Sequence, residues 1–168
     1  MAKKVDQVLI LILFYAGWFG AVFLARTEFA LGSLVFPAAL FIYLKLKGGL
    51  TGKESFAALG IAAFGGLFDF FMIQVSFIDV VGANPFMLPV WLLSIWLLFA
   101  FSILKLGPTL NMPLWIAVIL GCVMGPLSYK SGELFQVLSF TSSFTFFAYA
   151  VFWSALFPMV LFLAKRLA

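Results

Sequence analysis

The chain contains no histidine and a single cysteine, Cys122, in 168 residues. Without an imidazole there is no histidine-based zinc or haem site and no Ser-His-Asp or Cys-His pair. A single cysteine excludes an intrachain disulfide. Charge is equally scarce. Only 10% of residues are charged, against about 25% in an ordinary soluble domain. No nucleotide-binding motif is present, and the few lysines are scattered, so the net charge of +4 does not read as a nucleic-acid surface. No cofactor and no metal are expected. What the chain has in abundance is apolar side chains: 65% of residues are hydrophobic and 19% aromatic, with 23 phenylalanines and 14 glycines. A soluble domain and a disordered chain are both excluded by that balance.

A helix needs about 20 apolar residues to cross the roughly 30 Å hydrocarbon core. The hydropathy pattern predicts six such helices, over 7–25, 29–46, 56–78, 85–104, 112–129 and 144–164. The expected fold class is all-α, a polytopic membrane protein with about six transmembrane helices in one bundle. Residues 1–168 form a single integral membrane domain in this reading. Polar turns separate the spans: Arg26-Thr27-Glu28, Lys47-Gly48-Gly49 through Glu54, Asp79 to Pro85, and Lys105 to Pro113. Residues 130–143 fit helix, loop or interfacial segment, with a break near Thr141-Ser142-Ser143. No convincing internal repeat is visible.

Lys3, Lys4, Lys45, Lys47, Lys53, Lys105, Lys165 and Arg166 fall on one side of this topology, Arg26 and Lys130 on the other. Cytoplasmic loops carry the excess of Lys and Arg. The expectation is therefore an inner-membrane protein with both termini cytoplasmic and the first helix retained.

Five of the six acids sit at segment ends, and Asp69 does not. A carboxylate near the bilayer centre costs roughly 2.5–3.5 kcal/mol on insertion scales and turns toward the bundle or a wet cavity. On a helical wheel Asp69 shares an arc of about 80° with Ala58, Ala62, Gly65, Met72 and Ser76. Small residues let helices approach closely in lipid, so this face packs inward. Helix 5 carries a second such stripe of Ala117, Gly121, Gly125, Ser128 and Gly132. Helix 6 carries a shorter arc of Ser143, Ala150 and Ser154, also read as packing.

The candidate ligand-binding residues are Asp69, Ser128 and Tyr129, and the candidate helix-packing residues are Gly65, Gly121 and Gly125. Two readings of Asp69 stand: a carboxylate that binds a ligand or carries a proton, and a hydrogen-bonded acid that locks helix packing. Its partners are sought among Ser128, Tyr129 and Ser143. No catalytic residue is assigned, because one intramembrane acid offers no second group for acid–base work. Cys122 is expected to be small and buried at a helix contact. Trp91 and Trp115 suit interfacial belts, and Trp18 and Trp96 lie deeper.

Three patches carry a resemblance: GGLFDFFMIQ at 65–74, PVWLLSIWLLFAFS at 89–102 and GCVMGPLSYKSGELF at 121–135. Together they resemble an uncharacterised family of short, multi-pass bacterial inner-membrane proteins catalogued as a domain of unknown function. That family has a G-x-x-x-D helix, then a W-x-x-x-x-W-type helix, and a GPL-x-Y-x-x-G stretch, onto which Asp69, Trp91, Trp96, Gly125, Pro126, Tyr129 and Gly132 fall. The resemblance implies no activity. At fold level the chain also looks like the substrate-binding subunits of energy-coupling-factor transporters.

Three functions compete. The first is binding or transport of a small or lipid-like ligand, with Asp69 under an outward-opening cavity bounded by helices 1, 3 and 5. The second is a non-catalytic accessory subunit of a membrane complex, which requires a membrane protein partner. The third is a lipid-modifying membrane enzyme. Besides the lipid bilayer itself, a small-molecule or lipid ligand and a protein partner are the expected partners.

Overall fold

The computed structural model describes the backbone of residues 2–47 and 49–168 and the side chains of residues 6–47 and 49–168. The side chains of Lys3 and Lys4, counted in the orientation, and all of Gly48, in the expected loop, lie outside what is described.

Six α-helices dominate: α1 (Ala2–Leu24), α2 (Val35–Leu46, preceded by the 3-10 turn Ala30–Leu34), α3 (Gly52–Gln74), α4 (Val90–Leu106), α5 (Leu114–Leu134) and α6 (Ser143–Leu167). Two short strands, β1 (Ile78–Val80) and β2 (Leu138–Phe140), lie in the α3–α4 and α5–α6 connections. Among the described residues, five helical segments are long and apolar enough to cross a membrane, and Ala30–Leu46 is shorter. Its 3-10 turn and α2 together rise roughly 28 Å, which nearly matches the hydrocarbon core. This is an all-α polytopic membrane bundle.

The helix limits differ from the hydropathy reading for local reasons. α3 starts at Gly52 rather than 56. Thr51 accepts from the Glu54 backbone N–H while the Glu54 carboxylate accepts from that of Thr51, a capping box written as Thr-x-x-Glu. α4 starts at Val90 rather than 85, because Pro89 occupies its N-cap. α5 runs to Leu134 rather than 129, carrying Pro126 inside it. Of the ambiguous stretch 130–143, its first residues are helical and Leu138–Phe140 is strand.

The ends of the bundle are defined by contacts. At one end Tyr43 donates to Asp6 at 3.0 Å, Lys105 pairs with Glu54, and Gly107 meets Ala164. The start of α1 and the end of α6 both belong to this end. At the other end lie β1, β2 and the hydrogen bond from Arg26 to Gln136 at 3.1 Å.

The strands reveal a repeat that the sequence reading did not see. They pair antiparallel with Ile78 opposite Phe140, Asp79 opposite Ser139 and Val80 opposite Leu138. Val81 N–H donates to Val137, and Thr141 N–H donates to Phe77. Exchanging 77–81 with 137–141 leaves this pattern unchanged, so a local two-fold axis passes through the Asp79–Ser139 pair. The helices extend it. α3 and α5 are each followed by a left-handed residue, Ser76 and Gln136, both at φ 57°. The next N–H, of Phe77 and Val137, returns to the helix at Met72 and Gly132. Gly65 of α3 lies under the Trp96 ring of α4, and Gly125 of α5 lies under the Trp153 ring of α6. The two indoles stack at 5.2 Å and 7°. α3–β1–α4 and α5–β2–α6 are therefore two copies of one helix–strand–helix unit. Little more than Gly-x-Leu at 65–67 and 125–127 survives of it in sequence. α1 and α2 are additions that pack on α4. Gly17 admits Leu98, and Ser33 shares a buried 3.0 Å hydrogen bond with Ser94.

Candidate functional site

Asp69 is wholly buried and sits where the two units meet. Trp96 Nε1 donates to its Oδ2 at 2.7 Å. The Tyr129 hydroxyl reaches Oδ1 at 2.8 Å and Oδ2 at 3.0 Å. The Tyr149 hydroxyl donates to Oδ1 at 2.9 Å. Thus α4, α5 and α6 each send one donor to a single carboxylate on α3. No lysine or arginine bonds it among the described residues. Hydrogen bonds to an ionised acceptor are the strong ones, and here they stand in for a counter-ion. The tyrosine rings lie 3.9 Å apart, and the Phe68 ring, beside Asp69 on α3, meets Tyr149 edge-on and stacks on Phe152 at 3.7 Å. Water is thereby excluded.

The pseudo-symmetry explains one orphaned group. Trp153 occupies in the second unit the place of Trp96 in the first. Trp96 finds a carboxylate. Trp153 faces the Tyr129 hydroxyl instead of a carboxylate, and its buried Nε1 reaches no partner within hydrogen-bond geometry among the described residues.

Beside this cluster lies a cavity of about 540 Å³, within the usual range of about 300–1,000 Å³ for small-molecule sites. α1, α4 and α5 form its walls, with Trp153 and Phe157 of α6 at the back. Trp18, Trp91, Trp96 and Trp153 all line it, and no lining side chain is charged. Tyr15 and Met124 are 57% and 58% exposed. They mark a side open to the surroundings between α1 and α5. Toward the strand-bearing end the gap is closed by Phe135, whose ring lies 5.9 Å from both Trp18 and Phe19.

The candidate residues distribute as follows. Tyr129 and Ser128 line the cavity, whereas Asp69 lies behind Tyr129 and Trp96 and does not. α4, not α3, is the second wall, which corrects the expected cavity between helices 1, 3 and 5. Ser128 is exposed and donates to the Gly125 carbonyl at 2.6 Å, so it does not bond Asp69. Ser143 is exposed as well. Gly65, Gly121 and Gly125 are buried, and a Cβ on any of them would overlap Trp96 or Trp153. Cys122 is exposed and faces outward rather than into a contact. Trp91 is buried, donating to the Val81 carbonyl at 2.9 Å, and is no belt residue. On α6 the buried face is Tyr149, Trp153, Leu156 and Val160, not the arc of Ser143, Ala150 and Ser154. Sequence reasoning missed Trp96, Tyr149 and Trp153 as partners of the central cluster. An intramembrane acid with no cation beside it needs donors, and Tyr149 is the one tyrosine of helix 6.

A family model described as "Protein of unknown function (DUF2878)" matches residues 7–159. All three patches of the resemblance fall inside the matched region, and the chain belongs to this family. No curated protein and no solved structure matches it, so the likeness to transporter subunits stays without support.

Proposed function

We propose that this member of the DUF2878 family is a single membrane-embedded domain that binds a small lipid-like molecule in the cavity between α1, α4 and α5. The observation that carries this reading is the cavity itself: about 540 Å³, walled by aromatic rings, free of charge, and open sideways between two helices. A molecule in the bilayer enters such a site without crossing water. Tyr129 links the cavity to the interior cluster, because it lines the one and donates to Asp69 in the other. Asp69 acts here as a positioning residue, holding Trp96 and Tyr129 in the cavity wall. Binding of the molecule is the function proposed. Its movement across the membrane would be a consequence of exchange at the open side.

The asymmetry of cations supports an orientation with the termini in the cytoplasm, as in a bacterial inner membrane. Lys45, Lys47, Lys53, Lys105, Lys165 and Arg166, with Lys3 and Lys4 from the sequence, belong to the terminal end; Arg26 and Lys130 belong to the other.

Tryptophan quenching tests the binding reading. The purified protein in lipid nanodiscs is titrated with a dibrominated fatty acid methyl ester. Bromine inside the cavity quenches the buried Trp91 and Trp96, so quenching is saturable and weakened by Ser128→Phe, which intrudes on the cavity. Unsaturable quenching, equal in the variant, contradicts the reading.

A further inference from the structure

The charges at the strand-bearing end, beyond Phe135, give the chemistry of the molecule's head. The strand-bearing end carries two cations, Arg26 and Lys130. Lys130 is engaged with Glu133 and lies 5.9 Å from the Phe140 ring centroid. Arg26 has no ion pair among the described residues, although Glu28 is two positions away. It stands one helical turn beyond Val22, a lining residue of α1. Its guanidinium gives one N–H to Gln136, the neighbour of Phe135, whose ring closes the cavity on that side. A guanidinium carries five donors, so most of them are free just beyond Phe135. The side chain is exposed and ties the end of α1 to Gln136, just past the end of α5, on the outer side of Phe135. An arginine at the end of the bundle otherwise depleted of cations also runs against the distribution of the other basic residues.

Resting on the binding reading above, we propose that the occupant is an anionic amphiphile, with its apolar chain in the cavity and a phosphate or carboxylate head against Arg26. An uncharged wall accepts the chain and excludes the head, which lies past Phe135 at the strand-bearing surface, where water and the planar guanidinium fork can both solvate it. A cationic head meets Arg26 itself, and a neutral head gains little there.

Three probes with one twelve-carbon chain test this: dodecyl phosphate, dodecanol and dodecylammonium, each competing with the brominated ester in nanodiscs of neutral lipid. In the wild-type protein dodecyl phosphate displaces the ester at a concentration about tenfold below dodecanol, as expected for one charge-assisted contact. Dodecylammonium is the weakest. Added salt narrows the difference, because the contact is exposed. Arg26→Gln brings the phosphate and the alcohol together and leaves dodecanol where it was, while Arg26→Lys keeps part of the preference. If Arg26 served only to complement the end of α1 and hold Gln136, none of these preferences would appear. Equal displacement by phosphate and alcohol in the wild type overturns the proposed head group and leaves the cavity reading intact. So does a preference unchanged in Arg26→Gln. Failure of every probe, dodecanol included, to displace the ester overturns the cavity reading and this proposal with it.

Discussion

Asp69 and Tyr129 occupy the same place in successive helix–strand–helix units, 60 residues apart, and the hydroxyl of one is hydrogen-bonded to the carboxylate of the other across the axis that relates them. One acid has thus been placed at a position where its symmetry mate is a donor. The acid supplies acceptors for Trp96, Tyr129 and Tyr149 together, and the second tryptophan, Trp153, is left without one. This asymmetry within a symmetric frame fixes what substitutions at the centre do.

Asp69→Asn is expected to fold. The amide oxygen still accepts, and a tyrosine hydroxyl can turn to accept from the amide nitrogen. Asp69→Leu leaves three buried donors unpaired, at about 1–3 kcal/mol each. Thermal unfolding in detergent is expected to rank wild type and Asn close together and Leu well below. A Leu variant as stable as Asn would show that these hydrogen bonds contribute little.

The two stacked tryptophans give a sharper comparison. Trp96→Phe removes a donor bonded to a carboxylate, worth about 1.5–3 kcal/mol for a charged partner. Trp153→Phe removes an N–H that bonds nothing. Both changes delete the same atoms from adjacent rings, so the packing losses are similar. Unfolding midpoints should therefore fall further for Trp96→Phe, and the reverse order would contradict the assignment of donors.

Glycine replacements test the close approach of the helices. A side chain at Gly121 would meet the backbone carbonyl of Trp153, and one at Gly125 the Trp153 ring, while nothing lies within 4 Å of a Cβ at Gly60. Gly121→Leu and Gly125→Leu should reduce the yield of folded protein by forcing α5 from α6. Gly60→Leu, on the outside of α3, should not. Equal yields from all three would mean that α5 and α6 do not meet along this stripe.

The topology has its own measurement. Cysteines placed at Lys53, Lys105 and Lys165 in a Cys122→Ala background are expected to react with an impermeant thiol reagent only after the membrane is broken. A cysteine at Glu28 should react without that. Labelling of residues 28 and 165 on the same side would contradict the six-helix path.

Several parts of this architecture were legible before any coordinates. Apolar runs of about 20 residues report spans because the bilayer demands them, and the small-residue arc around Asp69 reports an inward face. The limits of α3 and α4 were harder to read. Hydropathy does not register the Thr51–Glu54 capping box or the Pro89 N-cap, although each is written in local sequence. The repeat was hidden because its signature lies in backbone hydrogen bonds and left-handed residues, which Ser76 and Gln136 supply without the usual glycine. Ser128 was misjudged as a partner of Asp69 because it shares the small-residue stripe of helix 5, while only the longer tyrosine reaches across to α3. Trp96 was passed over because an indole serves apolar packing and donation equally well, and sequence alone does not say which.

A lipid-like molecule held in the cavity should survive extraction into mild detergent. Native mass spectrometry of the protein released from mild detergent tests it most directly, comparing wild type with Met124→Trp, which fills the open side from an exposed position and leaves the Asp69 cluster untouched. The expected result is a wild-type species carrying one retained amphiphile and a variant that is folded and empty. Wild-type protein that is uniformly empty, or a variant that retains the same adduct to the same extent, would contradict it.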